Sequence, residues 1–569
     1  MNKKIVIRTL EKIALYLELK GENPFKVSAF RKAANALELD ERSLEEIDDF
    51  TKIKGIGKGT GAVIEELIQT GESQQLIELE KQIPKGLIPL LKIPGLGGKK
   101  LAKLYQELGV SSREALKEAC ESKKVRSLPG FGPKTEEKIL KELEQFGERT
   151  GRLPIWYLES VVREINQLLA SIEEIERYSV AGSFRRVNET SKDLDFVIAT
   201  KSPEKVREQL LFELTIKEIV SSGDTKVSVV LDLDELVNVD FRLVANEEFI
   251  TTLHHFTGSK DHNVRMRQLA KEQGKKISEY GVEQPDGQIL TFHSEKEFFA
   301  LFGLPYIPPT VRETGQELDR LNEIKELVTI EDIKADLHMH TTYSDGAHSV
   351  AEMGEALISK GYHFGVITDH SQYLKVANGL TPERLKKQRE EIEAFNEAHP
   401  DFTLFSGTEM DILPDGSLDY DDDVLKNLDF VIASIHSSFS QPQEKIMERL
   451  FAAIQHPYVH MIAHPTGRII GEREGYNPNV EQLIHWAKEY GKILELNASP
   501  YRLDLCIEHL KLAMELGVPI AINTDAHAIE QLDYMEIGTK YAQKAWLKKE
   551  LVVNTWSVEQ FKNFIRKNK

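Results

Sequence analysis

The chain has 569 residues, 41% of them hydrophobic and 29% charged, which is ordinary globular composition in a chain too long for one core, so several domains are expected. No apolar run is long enough to cross a bilayer, "IVI" near the N-terminus is too short for a signal peptide, and Cys120 and Cys506 alone exclude a disulfide framework or a thiolate metal site; a cytoplasmic location is expected. The formal charge of −19 excludes indiscriminate nucleic-acid binding, yet residues 1–154 are slightly basic, roughly +4, so any such contact should be local and strongest there.

In that first stretch one pattern occurs three times: "IKGIGKGTG" (53–61), "IPGLGGKKL" (93–101) and "LPGFGPKTE" (128–136). Each is an apolar residue, then Gly-apolar-Gly, then polar residues that open a helical stretch. The pairs Gly55/Gly57, Gly95/Gly97 and Gly130/Gly132 can take positive φ and leave backbone N–H groups uncovered at a helix N-terminus. Such a turn suits a phosphate oxygen and carries no base preference. One copy reads equally well as a turn between packed helices; three copies favour DNA. Lys58, Lys99, Lys100 and Lys134 beside the glycines add salt-sensitive attraction. The pattern resembles the helix-hairpin-helix of DNA repair proteins. Residues 1–82 are read as a helical 8-kDa-like domain with one such motif, and residues 83–152 as a helical fingers-type DNA-binding domain with two.

Next comes "YSVAGSFRRVNETSKDLDFVI" (178–198). A strand leads into a Gly182–Ser183 turn, with Arg185 and Arg186 beginning a helix. "DLDFVIA" alternates as a strand does, so Asp193 and Asp195 share a face. A third carboxylate, Asp240, lies in the strand pattern "LVNVDFRLV". Three converging carboxylates suit two Mg²⁺ or Mn²⁺ ions, which favour hard oxygen ligands and phosphates. The Gly182–Ser183 turn and Arg186 would hold the phosphates of an incoming nucleotide. Here the chain resembles the nucleotidyltransferases and, within them, the family X DNA polymerases. The stretch "HHFTGSKDHNVRMRQLA" (254–270) narrows the likeness. By that resemblance His255, Phe256 and Gly258 border the nucleotide sugar, while Asn263 and Arg267 reach the nascent pair and the template strand. "FGLPYIPPTVRE" (302–313) resembles the end of the family's thumb. The expected layout is a mixed-sheet palm over 153–246 and a small thumb over 247–315.

Two positions depart from that family. His255 stands where a tyrosine usually helps exclude ribonucleotides, so sugar selectivity is open. "NPFKVSAFRKAANALE" (23–38) resembles the start of a lyase domain, but Val63 stands where lyase-competent relatives carry a Schiff-base lysine. Valine forms no imine, and no lyase activity of that type is expected.

A charged stretch, "GQELDRLNEIKELVTIEDIK" (315–334), reads as a helical connector, with 316–333 as the linker proper. Beyond it, over 334–569, strands and helices alternate. "ADLHMHTTYSDG" (335–346) places His338 and His340 two apart, on one face of a strand, with Asp345 beyond. Later strands end at Asp369–His370, His436, His464 and Asp525–His527, and one carries Glu409. Ligand-type residues at the C-terminal ends of parallel strands point to a β/α barrel, here a distorted one. His348, His363 and His485 are taken as structural. The series resembles the polymerase and histidinol phosphatase (PHP) domain. By that resemblance one metal takes His338, His340, Glu409 and Asp525; a second shares Glu409 and adds His436; a third takes Asp345, His370 and His527, with His464 placed there or on the second. Mixed imidazole and carboxylate ligands fit Mn²⁺, Zn²⁺ or Fe²⁺. Mn²⁺ or Zn²⁺ is expected, and Asp345, where some relatives have histidine, favours Mn²⁺ in the third site.

Taken together these residues imply a family X DNA polymerase with a PHP domain, of the kind found in bacteria and archaea, that fills short gaps and degrades 3′ ends. The expected substrates are gapped or primer–template DNA and deoxynucleoside triphosphates, with the protein a monomer. AP endonuclease action at the PHP site is left open. The competing readings keep the polymerase but make the PHP domain a structural metal module or a small-molecule phosphatase, or make the whole chain a non-catalytic binder of DNA ends.

Overall fold

The computed structural model describes residues 3–567 except 41, 43, 45, 46, 94, 95 and 150. Helices α1 (Lys3–Lys20) and α2 (Pro24–Leu39) pack on each other; the Asn23 side chain caps α2 by accepting from Phe25 N at 2.9 Å. Helices α3 (Lys58–Thr70), α4 (Gly98–Leu108) and α5 (Pro133–Arg149) each follow one of the glycine turns. Their apolar stripes meet those of α1 and α2 in one core running from Val6 to Leu143, on both sides of residue 82.

A five-stranded mixed sheet follows, with β1 (Ile175–Val180), β2 (Asp193–Thr200), β3 (Ile216–Ser222), β4 (Lys226–Asp232) and β5 (Leu236–Val244) in the order β1-β2-β5-β4-β3. Only β2 and β5 run parallel. The two-residue period of β2 divides its side chains. Leu194, Phe196 and Ile198 pack under helices α6 (Ile155–Ser171) and α8 (Pro203–Glu213), while Val197 and Ala199 face the opposite core. Asp193 and Asp195 therefore lie on the side that helices α9 (Phe249–Thr257) and α10 (Lys260–Glu272) approach. Between β1 and β2 the chain makes a single helical turn, α7 (Gly182–Arg185). Arg185 thus closes a helix, and does not begin one as expected, because Arg186 already leaves helical geometry after so short a turn.

Seven parallel strands form the second sheet in chain order: β6 (Ala335–Asp336), β7 (Phe364–Ile367), β8 (Thr403–Asp411), β9 (Phe430–Ser434), β10 (Met461–Ile462), β11 (Ile493–Asn497) and β12 (Ile520–Asn523). A parallel bridge between Met339 and Ala526 joins the first strand's extension to the last, giving a nearly closed barrel. Apart from Thr403 at the start of β8, its strands are buried, as parallel strands covered on both faces require.

The stretch 316–333 is not the helix expected of it. Three short turns, Gln316–Asp319, Leu321–Ile324 and Ile330–Asp332, replace it, and Leu327 and Val328 are buried. Backbone bonds to a segment distant in sequence hold it: Val328 N donates to Leu547 O at 3.1 Å and Lys549 N to Glu326 O at 2.9 Å. Burying these apolar residues in two cores at once outweighs the local helical pattern. Palm and barrel accordingly share packing. Ile155 and Val187 belong to the barrel's largest apolar cluster, and Trp156 Nε1 donates to Ile470 O at 2.9 Å. No helix among the described residues is long and apolar enough to cross a membrane.

Candidate active sites

The first site forms where β2 and β5 lie side by side. Their register places Asp195 beside Asp240 and Asp193 beside Asn238. Above them the chain turns at Gly182, whose φ of +65° favours glycine; a Cβ there would sit 2.3 Å from Asp195 Oδ2. Ala181 N donates to Asp195 O at 2.7 Å, so the turn and the acidic strand are fixed to each other. A cleft of about 420 Å³ opens here. Its walls are the Gly182–Ser183 turn with Arg186, the pair Asp193 and Asp195, and, from the thumb, His255, Phe256, Gly258, Asn263 and Arg267. The structure thus brings together every nucleotide-contact residue expected from sequence, with Asp240 next to the cleft and Nζ of Lys226 2.7 Å from its Oδ2. Asn263 Nδ2 donates to His255 O at 2.7 Å, and the Arg242 guanidinium lies 4.4 Å from the Phe256 ring centre. Ser259 and Lys260 also line the cleft; Lys260 was missed because one lysine after a turn carries no signal of its own.

Behind the cleft, Glu295 accepts from Arg185 Nη2 and Arg312 Nη1, both at 2.7 Å, and Arg185 Nη1 donates to Thr257 Oγ1 at 2.7 Å. Burial alone would raise the Glu295 pKa, but Arg312 and Arg185 outweigh it and hold it at about 2. This network ties the thumb's turn to the palm's turn.

Burial, and then repulsion from Asp193 and Asp240, push Asp195 up to about 7. A buried carboxylate flanked by two others is the chemistry of a divalent-cation site. A bound cation must displace that proton. The Mg²⁺ concentration for half-maximal occupancy of this site should therefore rise about tenfold per pH unit as pH falls below about 7. Titrating Mg²⁺ at a series of pH values checks this; a requirement that stays flat in the acidic range would contradict it.

The second site lies inside the mouth of the barrel. Although regular β6 ends at Asp336, the extended backbone continues to Met339, so His338 and His340 still converge, their ring centres 5.3 Å apart. Glu409, on β8, stands at the centre. Its Oε1 is 2.8 Å from His464 Nε2 and 3.1 Å from His436 Nε2. Its Oε2 is 2.9 Å from His370 Nδ1, 3.4 Å from His338 Nε2 and 3.6 Å from His340 Nε2. Asp525 Oδ1 is 3.1 Å from His340 Nε2 and 3.4 Å from His338 Nε2. Asp345 Oδ1 is 3.2 Å from His527 Nε2 and 3.5 Å from His370 Nε2.

Three metal-sized groups result: His338, His340, Glu409 and Asp525; His370, Glu409 and His436; and His340, Asp345, His370 and His527. All nine expected residues meet here. Of the two placements left open for His464, the structure has the one beside His436, on the other oxygen of Glu409 from His370, because the loop after β10 enters from that side. The residues fit cations on a further observation: His338 Nε2 and Glu409 Oε2 are buried 3.4 Å apart yet make no hydrogen bond.

Four residues support these ligands; Glu495, Asp411 and Asn497 escaped the sequence reading, and Asp369 was read there only as a strand-end residue. His338 Nδ1 meets Glu495 Oε1 at 2.7 Å and His436 Nδ1 meets Asp411 Oδ1 at 3.2 Å. Asn497 Nδ2 donates to Asp525 Oδ2 at 3.1 Å, and buried Asp369 accepts from Thr341, Ser344 and Gln388. Such partners fix the ring that a metal needs. Glu495 and Asn497 sit two apart on β11, so alternation alone could have placed them on the inner face. Burial disfavours charged His436, but Glu409 and Asp411 outweigh it and raise its pKa to about 10; Asp345 likewise raises His527 to about 9. Loading a cation on these imidazoles must release protons.

A third feature is the set of glycine turns. Gly55 and Gly130 have φ of +115° and +92°, and Gly57 and Gly97 cap the N-termini of α3 and α4. A Cβ on Gly57, Gly97, Gly130 or Gly132 would meet nothing within 4 Å, so these glycines face open space rather than packed protein. Lys58, Lys99 and Lys134 are exposed beside them. Gly95 lies outside the described residues. Val63 is buried in α3, 7% exposed.

Four family models match parts of the chain. Residues 1–73 match the helix-hairpin-helix domain model, 87–145 the SAM-like helix-hairpin-helix tandem, 252–313 the DNA polymerase beta thumb and 336–499 the PHP domain. The chain is 58% identical over 569 residues, all of both chains, to the DNA polymerase/3'-5' exonuclease PolX of Bacillus subtilis (strain 168). It is also 32% identical over 246 residues to a probable phosphatase of Thermoanaerobacter sp. (strain X514), an alignment covering 41% of this chain and 95% of that one. A probable phosphatase of Caldicellulosiruptor bescii is 36% identical over 172 residues, 29% of this chain and 68% of its own.

Proposed function

This chain belongs to the PolX family of DNA polymerase/3'-5' exonucleases, and from that premise we propose that it fills short DNA gaps at the palm cleft and removes 3′-terminal nucleotides at the barrel mouth. The observation that carries the proposal is that one packed chain holds three metal-type groups at the barrel mouth and, apart from them, a cleft lined by Asp193 and Asp195 with Asp240 in register beside Asp195.

In the palm, Asp193, Asp195 and Asp240 would hold Mg²⁺ or Mn²⁺, which supplies Lewis-acid stabilisation of the in-line phosphoryl displacement. Ser183 and Arg186 bind the triphosphate tail. Phe256, Gly258 and His255 border the sugar, and Asn263 and Arg267 hold the nascent pair and template. The primer 3′-oxygen bonds to the α-phosphorus, and pyrophosphate leaves. In the barrel, the nine His, Asp and Glu side chains would hold three divalent ions, Mn²⁺ or Zn²⁺. There water supplies the oxygen that bonds to the terminal phosphorus, the P–O3′ bond breaks, and a nucleoside monophosphate departs. Glu495 and Asp411 orient His338 and His436 for this.

The division into residues 1–82, 83–152, 153–246, 247–315, 316–333 and 334–569 belongs to the same proposal, as do a base-excision type of repair role, a monomeric state and a cytoplasmic location. The hairpin turns at 53–61 and 93–101 would grip the two sides of a gap. Extension on a gapped duplex with a 5′-phosphate should exceed that on an open primer–template by about tenfold in kcat/KM, equivalent to about 1.4 kcal/mol of added binding. Equal rates on the two substrates would overturn the gap-filling role.

The likeness to probable phosphatases favours a second reading for the barrel, hydrolysis of small phosphate monoesters. Faster turnover of a chromogenic monoester than of single-stranded DNA ends would select it.

A further inference from the structure

Helix α11 (Tyr534–Lys544) belongs to the barrel half, yet its last residue reaches Arg186, a wall residue of the polymerase cleft. Lys544 Nζ donates to Arg186 O at 3.1 Å and pairs with the Glu313 carboxylate. The same Glu313 oxygen takes Arg186 Nε at 3.1 Å, while Arg186 Nη1 donates to Thr257 O at 2.6 Å. The Lys544 side chain is only 12% exposed. A lysine is seldom this buried unless paired, and both partners shown here lie on the polymerase side. The neighbouring Gln543 ties the same helix end to the thumb, accepting from Thr310 Oγ1 at 2.5 Å.

From this geometry we propose that Lys544 is a positioning residue for nucleotide binding: through Glu313 it sets the orientation and the effective charge of Arg186. The inference rests on the reading of Arg186 as a triphosphate ligand. Without Lys544, Arg186 and Glu313 form a neutral pair at the cleft wall. With it, the three groups carry one net positive charge, and Glu313 is held off the site the triphosphate would enter. The barrel is then part of the nucleotide site and not merely attached to it.

Single-nucleotide gap filling tests this with the full-length chain. Lys544→Met should raise KM for the nucleotide about tenfold with kcat changed less than about twofold, a split that a loss of fold does not produce. Release of 3′-terminal nucleotides from single-stranded DNA should be unchanged. Lys544→Arg should keep KM within about threefold of the parent, because it restores the cation. Adding Glu313→Gln to Lys544→Met removes the unbalanced carboxylate and should bring KM back towards the parent. An unchanged KM in Lys544→Met overturns the inference, as does a parallel fall of both activities that Glu313→Gln leaves unrelieved. Arg186→Ala separates the two layers. If it leaves KM unchanged, the reading of the cleft fails; if it raises KM while Lys544→Met does not, only the role of Lys544 fails.

Discussion

Glu409→Gln is expected to slow 3′-terminal nucleotide release by about a thousandfold, a loss of about 4 kcal/mol of transition-state stabilisation, and to leave nucleotide incorporation intact. Glu409 belongs to two of the three metal-type groups, and its two oxygens face five imidazoles between them. Burial alone would raise its pKa, but His436, His338 and His370 outweigh that and hold the carboxylate ionised well below the usual range. The amide has nearly the same shape but no charge and one weaker acceptor, so packing survives while cation binding does not. Metal content should fall together with the activity. Undiminished release of 3′ nucleotides by Glu409→Gln would remove the barrel from the reaction.

The opposite loss is expected from Gly182→Ala. Alanine at φ +65° costs about 1–2 kcal/mol of stability. The larger effect is local, because the new methyl would lie 2.3 Å from Asp195 Oδ2. Asp195 is pinned through its backbone by Ala181 N and flanked by Asp240 in register, so its carboxylate must turn away from the position a cation needs. Incorporation should fall about a hundredfold, with 3′ degradation unchanged and only a modest drop in Tm. Full incorporation activity with the same Tm shift would show that the turn tolerates a side chain and that Asp195 is not placed by it.

Much of both sites can be read in the sequence because strands impose a two-residue period. That period puts Asp193 with Asp195 and His338 with His340, and it places each later barrel ligand at or near a strand end. The three glycine turns were legible for a different reason: they repeat. What stayed hidden depends on distant partners. Asp411 and Glu495 look like any other acids until the ring nitrogens of His436 and His338 are found against them. Which oxygen of Glu409 His464 meets is decided by the path of a loop, not by spacing. The stretch 316–333 carries a helical pattern, but burial of Leu327 and Val328 against both halves of the molecule sets its course. The reach of Lys544 to Glu313, 231 residues earlier, has no local signature at all.

The most direct test of two independent active sites on one chain is a single assay with Mn²⁺ and an end-labelled gapped duplex, run with and without nucleotides. It compares the parent chain with Asp193→Ala/Asp195→Ala and with His338→Ala/His340→Ala. The account predicts that the aspartate pair abolishes extension alone and the histidine pair abolishes 3′ degradation alone. Degradation that survives loss of both histidines, or that disappears with the aspartates, would contradict it.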